Sequence, residues 1–170
     1  MTKTVIIPIG SQGMGKSTLF RILDKELDVF HISQHGYSSE SEMLRAVKCE
    51  ADDGRECRIM YIDRCNVREK SRNDIIDLLP IDSRVILVDF INTNNRKKLI
   101  LESFKRARDR PQEGQSIKYN PINGGIALKK VITKKIEQYE RPMSDNVSDI
   151  INVDLTAMEG DAALAVLSII

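Results

Sequence analysis

The sequence predicts an α/β fold of three layers, in which helices cover both faces of a mostly parallel, five-stranded sheet. Short β-branched apolar runs alternate along the chain with segments whose apolar residues recur every three or four positions, a pattern typical of parallel sheets. A glycine-rich loop joins the first such run to the first helical segment. The length of 170 residues suits one domain with a sizeable core. We therefore expect residues 1–170 to form a single domain.

The apolar runs and the helical periodicity place each element in turn. Strands are predicted near residues 4–9, 29–33, 58–63, 85–91 and 148–154. Helices are predicted near residues 16–27, 39–52, 68–79, 94–108, 122–138 and 158–169. The stretch 109–121 has neither pattern, and a loop of that length in a compact domain is often a functional lid.

The loop after the first strand fits the phosphate-binding motif G-x-x-x-x-G-K-[ST]. Its backbone N–H groups and the helix that follows can surround an anion. The Lys16 ammonium can reach the β- and γ-phosphates, and the Ser17 hydroxyl can bind Mg²⁺. This motif predicts a P-loop fold that binds a nucleotide through Gly10, Ser11, Gln12, Gly13, Met14, Gly15, Lys16, Ser17 and Thr18.

Two acidic residues lie at or near the ends of predicted strands. Asp63 ends the run RIMYID, at the edge of the sheet where α/β proteins bind ligands, and is the first candidate for a metal-binding acid. Asp89 lies inside its apolar run and is the candidate for a buried, hydrogen-bonded acid. Arg64, Asn66 and Arg68 follow Asp63 and predict a polar rim beside the phosphate site. Arg64 and Asn66 are the candidates for substrate binding.

Basic residues are concentrated in the fourth helix and the loop after it, although the net charge is only +1. Arg106, Arg108 and Arg110 lie where a loop could close over a phosphate, and guanidinium groups can clamp a transferring phosphoryl group. We expect at least one of them to act in the lid. For Lys97, Lys98 and the lysines of 129–135, a solvated helix face and a functional role are equally good explanations.

No apolar run is long enough to span a membrane, and the first residues lack a signal-peptide pattern. The three cysteines, Cys49, Cys57 and Cys65, lack metal-binding spacing and suggest a reducing compartment. A cytoplasmic or nuclear location without membrane contact is therefore expected.

Five segments together resemble the kinase domain of fungal tRNA ligases, which are polynucleotide 5′-hydroxyl kinases of the P-loop superfamily. In chain order they are TVIIPIGSQGMGKSTL, HISQHG, IDRCNVREKSR, RARDRPQEGQSIK and the closing stretch from Asp149 to Ile170. The P-loop alone is widely shared, whereas the Asp63–Asn66 segment and the lid at 106–118 are more specific. The likeness covers nearly the whole chain.

The resemblance implies transfer of the γ-phosphate of ATP or GTP to the 5′-hydroxyl end of RNA, with Mg²⁺, in RNA repair or tRNA splicing. Arg106 and Arg110 match the lid arginines that grip the donor phosphates. Gln115 and Ser116 match a lid segment near the donor base. Two forms are compatible with this resemblance, a domain linked to ligase and phosphodiesterase domains and a free-standing kinase.

The chain departs from the family at the general base. The family has Gln-Asn-Asp after the second strand, and the Asp serves as the base for the attacking 5′-hydroxyl; this chain has Gln34-His35-Gly36. His35 is the candidate substitute, since imidazole is a competent base near neutral pH. Gly114 likewise replaces a histidine of the lid.

Two alternatives to an RNA kinase remain at this point. A P-loop kinase of small molecules would also need the basic lid, and few aromatic residues are available to stack on bases. A nucleotide-binding module with weakened catalysis would explain the missing base.

Overall fold

The computed structural model describes residues 3–53, 59–110, 117–145, 147–155 and 159–170. Its centre is one sheet in which every neighbouring pair of strands is parallel and the strand order is β2-β3-β1-β4-β5. The strands are β1 (Thr4–Ile9), β2 (Val29–Ser33), β3 (Ile59–Asp63), β4 (Arg84–Asp89) and β5 (Asp149–Asn152). The predicted five-stranded α/β fold is confirmed.

Helices cover both faces of this sheet, and alternate residues of each strand point to opposite faces. Ile6 and Ile86 belong to the core beneath one set of helices, and Val5 and Val85 to the core beneath the other. The first set contributes core residues from α1 (Lys16–Glu26), α4 (Arg96–Asp109), α5 (Ile126–Glu137) and α6 (Glu159–Leu167). The second set consists of α2 (Glu40–Asp52) and α3 (Glu69–Ile76).

The central strand β1 lies between β3 and β4, so the loops at the carboxyl ends of these three strands share one edge of the sheet. Strands β2 and β3 lie on one side of β1, and β4 and β5 lie on the other. Open α/β sheets bind their ligands at the point where the strand order changes sides in this way. The P-loop follows β1 and Asp63 ends β3. The topology therefore brings the two predicted phosphate and metal positions to the same edge.

The fifth helix begins four residues later than the predicted position 122. A short 3-10 helix, Pro121–Asn123, precedes it, and the Asn120 side chain accepts a hydrogen bond from the Ile122 amide at 2.9 Å. Gly124 and Gly125 then take φ values of 61° and 71°. These left-handed residues end the 3-10 turn, which a pattern of apolar spacing does not reveal.

The fourth and fifth strands are also shorter than predicted. Strand β4 ends at Asp89 rather than residue 91, because the Asp89 carboxylate accepts the Ile91 amide at 2.8 Å and turns the chain out of the sheet. Strand β5 covers only Asp149–Asn152 of the predicted 148–154.

Within the described ranges, none of the helices has both the length and the apolarity needed to cross a bilayer.

Candidate active site

The conformation of the P-loop between β1 and α1 depends on its glycines and on the close approach of α4. Gly13 has a φ of 78°, and a Cβ built on it would lie 2.1 Å from the Ser103 carbonyl oxygen of α4. The Gly10 amide donates to the Cys65 carbonyl at 2.9 Å. Only glycine fits at position 13, both because of its left-handed backbone and because α4 passes so near.

Lys16 is placed over the loop at the first position of α1. Its ammonium donates to the Ser11 carbonyl oxygen at 2.9 Å, and its own carbonyl accepts from the buried Tyr61 hydroxyl at 2.7 Å. Tyr61 belongs to β3, so the neighbouring strand fixes the beginning of the helix. The positive end of the helix dipole and the Lys16 charge therefore act at one place.

Ser17 and Asp63, the two predicted metal ligands, are in direct contact. The Ser17 hydroxyl donates to Asp63 Oδ2 at 2.7 Å. Burial opposes ionisation of Asp63, but His31, Lys16 and Ser17 favour its charged form, and the net effect is a pKa below the ordinary value. A hydroxyl and an ionised carboxylate therefore face the cleft as a pair of oxygen donors.

His31 is a residue of this site that the sequence did not indicate. Its Nε2 lies 3.6 Å from Asp63 Oδ2, and its ring stacks on Phe20 with the ring centres 3.8 Å apart. Strand β2 runs in register with β3, which sets His31 opposite Tyr61. The only signal in the sequence is a histidine within a strand-like run, VFHIS, which is equally typical of a histidine packed in a core.

Of the three arginines near the lid, the structure brings Arg106 and Arg110 to the cleft. Arg106 Nη2 donates to the Leu155 carbonyl oxygen at 2.6 Å. Desolvation lowers the pKa of the Arg110 guanidinium, and the negative charge of Asp63 acts in the opposite direction. Arg108 instead pairs with Asp109 at 2.6 Å and is exposed. The helical spacing of α4 explains the difference, because residues two apart face different directions.

The segment after β2 forms the opposite wall of the cleft. A short 3-10 helix, Gln34–Gly36, presents the exposed side chain of His35 to the cleft. Gly36 is absent from the residues with positive φ, and a Cβ on it would meet nothing within 4 Å. Position 36 therefore has room for a side chain without backbone strain.

Arg64 and Asn66, both predicted to bind substrate, have different surroundings. Arg64 lines the cleft and pairs with Glu40 at 2.6 Å, and its Nη1 has no hydrogen-bond partner in the described part of the chain. Asn66 is 1% exposed, and its side-chain amide donates to the Pro8 carbonyl at 3.0 Å. The prediction of a polar rim is therefore corrected at Asn66, whose buried amide instead joins the carboxyl-terminal parts of β1 and β3 through the Pro8 and Ile62 carbonyl oxygens. Its φ of 47° suits asparagine, which tolerates the left-handed region.

The second acid, Asp89, is buried and hydrogen-bonded, as its place in an apolar run suggested. It accepts hydrogen bonds from the Ile91 amide and the Tyr139 hydroxyl. Burial raises its pKa, and the hydrogen bonds from Tyr139 and Ile91 offset part of that effect. Asp89 therefore anchors the end of β4, and Asp63 alone of the two acids faces the cleft.

The cleft has a volume of about 730 Å³. The predicted residues that line it are Gln12, Gly13, Met14, Gly15, Lys16, Ser17, Thr18, His35, Asp63, Arg64, Arg106 and Arg110. Gly10 and Ser11 belong to the loop but are not among the residues that line the cleft. Gly10 donates to the Cys65 carbonyl and the Ser11 carbonyl accepts from Lys16. Gln115 and Ser116 lie outside the described residues. Arg21, Tyr37, Val131 and Lys135 line the cleft without having been predicted. They reach it through the packing of α1, α5 and the 3-10 turn, which local patterns do not encode.

We expect Gly13→Ala to destabilise the protein far more than Gly124→Ala. Both positions have positive φ, which costs alanine about 1–2 kcal/mol, but a Cβ on Gly124 meets nothing within 4 Å. The contact with the Ser103 carbonyl adds about 1–3 kcal/mol at position 13. Urea unfolding of both variants measures the difference. Equal losses of unfolding free energy would contradict the close approach of α4 to the loop.

Comparison with solved structures shows the same fold in several kinases. A fungal RNA kinase matches with a TM-score of 0.79 and 20% identity, over 99% of this chain and 85% of that one. A gluconokinase from Sinorhizobium meliloti 1021 matches with a TM-score of 0.60 and 10% identity, over 97% and 90% of the two chains. A deoxyadenosine kinase from M. mycoides with bound dATP matches with a TM-score of 0.54 and 14% identity, over 96% and 97%. At these identities the likenesses establish the fold.

Comparison of the sequence with family models identifies the family to which the chain belongs. No curated protein matches the chain, but the family model described as the tRNA ligase kinase domain matches residues 5–156. That span contains the P-loop, Asp63, the turn with His35, and the two cleft-lining arginines Arg106 and Arg110. The resemblance to RNA 5′-hydroxyl kinases of tRNA ligation is thereby confirmed. The chain belongs to the tRNA ligase kinase domain family.

Proposed function

We propose that this kinase domain transfers the γ-phosphate of ATP or GTP to the 5′-hydroxyl end of RNA, with Mg²⁺ bound at Ser17 and Asp63. The contact of 2.7 Å between the Ser17 hydroxyl and Asp63 Oδ2, beside Lys16 in the same cleft, is the observation that supports it most. In this transfer a bond forms between the 5′-oxygen and the γ-phosphorus, and the bond from that phosphorus to the β,γ-bridging oxygen breaks.

The donors at Ser17 and Asp63 fit a magnesium ion. Mg²⁺ prefers oxygen ligands and is usually held by one or two protein groups together with substrate phosphates and water. The described residues contain no cluster of three or more potential metal-binding side chains, and a P-loop site does not need one. When bound, the ion would neutralise the charge that develops on the β- and γ-phosphates.

Lys16, Arg106 and Arg110 all line the cleft and supply positive charge from within the chain. Lys16 is fixed above the P-loop by the Ser11 carbonyl, and Arg106 is fixed by the Leu155 carbonyl. Phosphoryl transfer depends mainly on such positioning and charge stabilisation. We assign Lys16 to the β- and γ-phosphates and Arg106 and Arg110 to the transferred group.

The acceptor is proposed to approach from the wall formed by the 3-10 turn and Arg64. His35 is exposed to the cleft on that wall and can take the proton of the attacking hydroxyl as a neutral imidazole. This role replaces the aspartate that the family resemblance leads one to expect.

Transfer of radiolabelled γ-phosphate from ATP or GTP to a 5′-hydroxyl RNA oligonucleotide tests the proposal. Label on the oligonucleotide, and none on free nucleosides or sugars, is the expected result. Label on small molecules alone would favour a small-molecule kinase, and nucleotide binding without turnover would favour a binding module. Either result would overturn the proposed reaction, and replacing RNA by DNA defines the acceptor further.

His35→Ala and Gly36→Asp together identify the base. If His35 is the base, His35→Ala loses about 10²- to 10⁴-fold in rate. Gly36→Asp should fold normally, because its Cβ has open space, and should restore activity in the His35→Ala background. Rates over a pH series measure both effects. Unchanged rates in every variant would show that this turn is not the catalytic element on the acceptor side.

A further inference from the structure

A second cleft of about 560 Å³ adjoins the candidate active site. The two clefts share the side chains of Gln34, Arg64, Cys65, Val131 and Lys135. Because these residues line both, the second cleft lies directly beside the space over the P-loop, with Arg64 at the boundary between them. A substrate seated with one end in the active site can therefore extend into this space.

The second cleft is strongly basic. Its cationic side chains are Arg64, Arg68, Lys70, Lys134 and Lys135, against the two carboxylates of Glu40 and Asp74. Both carboxylates are already paired, Glu40 with Arg64 at 2.6 Å and Asp74 with Lys70 at 2.8 Å. Within the described residues, no carboxylate forms an ion pair with Arg68, Lys134 or Lys135. These three charges are available to an anion.

One wall of the second cleft is a single face of α5 and the residue just beyond it. Val131, Lys134, Lys135 and Gln138 line it and follow the helical spacing of three and four residues that places side chains on one face. The residues of α5 that pack into the core, Leu128, Ile132 and Ile136, lie on another face. The two lysines are therefore presented by a firmly packed helix.

The opposite wall carries Arg68 at the beginning of α3, and a buried arginine holds it in place. Arg72 is 2% exposed, and its guanidinium donates to the carbonyl oxygens of Asn66 and Val67 at 3.0 and 3.2 Å. It also reaches the Glu140 carbonyl at 3.0 Å, beyond the end of α5. Arg72 therefore links the loop that bears Arg68 to the segment that follows α5. This link fixes the position of Arg68 relative to the lysines of α5.

The chemistry of the lining favours phosphate groups over bases. Among the described residues, none of those that line the second cleft is aromatic, so these residues offer bases no ring on which to stack. Ammonium and guanidinium groups bind the phosphates of a nucleic acid backbone without reading its sequence. A flexible single strand with regularly spaced phosphates matches a basic cleft that leads away from the reaction centre.

We propose that the second cleft binds the phosphodiester backbone of the RNA acceptor just 3′ of the reacting 5′-hydroxyl, with Arg68 on one wall and Lys134 and Lys135 on the other. This inference rests on the proposed function, because it takes RNA as the acceptor. It accounts for selection of polynucleotide ends over nucleosides, which have no backbone to occupy the cleft. It also implies little preference for base identity in the nucleotides that follow the end.

The test compares the double variant Lys134→Ala/Lys135→Ala with Lys129→Ala/Lys130→Ala, which removes two exposed lysines of the same helix that line neither cleft. Loss of two phosphate contacts should weaken binding of a 5′-hydroxyl hexanucleotide about 10- to 30-fold at 0.1 M salt, since each contact to a single strand contributes about 0.7 to the salt slope. Fluorescence anisotropy over a salt series measures the affinity and the slope. Arg68→Ala should weaken binding in the same direction from the other wall.

Kinetics on RNA of different lengths provide the second measurement. In the wild type the KM should fall from a 5′-hydroxyl dinucleotide to a hexanucleotide. Most of this gain should disappear in Lys134→Ala/Lys135→Ala and persist in Lys129→Ala/Lys130→Ala. An unchanged affinity and salt slope in that variant, or an equal loss in the Lys129→Ala/Lys130→Ala control, would overturn the proposal. A wild-type protein that phosphorylates no RNA would instead overturn the proposed function, and the anisotropy titration would still decide whether the cleft binds RNA.

Discussion

Replacement of Lys16 by alanine should lower the rate of phosphoryl transfer by at least about 10²-fold, the loss typical of removing one preorganised group that stabilises transition-state charge. It should also weaken nucleotide binding about 10- to 100-fold, because a hydrogen bond to a charged group contributes about 1.5–3 kcal/mol. Lys16 is the first residue of α1, and its ammonium lies over the P-loop at 2.9 Å from the Ser11 carbonyl. No other lysine of α1 lines the cleft.

Calorimetric titration with ATP or GTP and Mg²⁺, together with single-turnover rates, measures both losses. Lys25→Ala is the matched control, since Lys25 is an exposed residue in the last turn of the same helix. Its removal changes the net charge by the same amount without touching the cleft. Wild-type affinity in Lys16→Ala, or equal losses in the two variants, would refute the interpretation of this loop as the nucleotide site.

Alanine at Arg106 or Arg110 should lower kcat by about 10³-fold or more, which is the factor that an arginine finger contributes to the rate of phosphoryl transfer. Both guanidinium groups line the cleft, and Arg110 lies within electrostatic range of Asp63. Arg106 also donates to the Leu155 carbonyl at 2.6 Å. Arg106→Ala should therefore lose about 1 kcal/mol of unfolding free energy as well, whereas the Arg110 side chain is exposed and its truncation should change stability by no more than about 0.5 kcal/mol.

Arg108→Ala is the control for both variants, because Arg108 lies between them in sequence but pairs with Asp109 away from the cleft. Single-turnover transfer to a 5′-hydroxyl RNA, with urea unfolding of each protein, gives the comparison. A kcat that stays at the wild-type value in Arg106→Ala and Arg110→Ala, or that falls equally in Arg108→Ala, would exclude the lid arginines from catalysis.

Much of the donor half of the site could be predicted from the sequence, because its signals are local. The P-loop spacing predicts a bend of backbone N–H groups followed by a helix, and α1 begins at Lys16. Asp63 could be placed at the ligand edge, because it ends an apolar run and the carboxyl ends of parallel strands meet there. The wall of the cleft proposed for the acceptor was harder to predict from the sequence. Arg64 and Asn66 are two residues apart in one polar stretch, yet Arg64 lines the cleft and Asn66 is buried, with its amide on the Pro8 carbonyl oxygen of β1.

The sequence by itself determined the order of strands and helices along the chain, the nucleotide-binding loop and the family. These features could be predicted because hydrophobic periodicity and short motifs depend only on residues that are close together in the sequence. Only the tertiary structure decided which charges converge. It set His31 beside Asp63 through the register of β2 with β3. It separated Arg108 from the arginines on either side, and it joined Lys134 and Lys135 to Arg68, a residue more than sixty positions away, in one basic cleft. The physical reason is that a side chain's partners depend on how helices pack across the sheet, and this packing minimises exposed apolar surface over the whole chain rather than within any one segment.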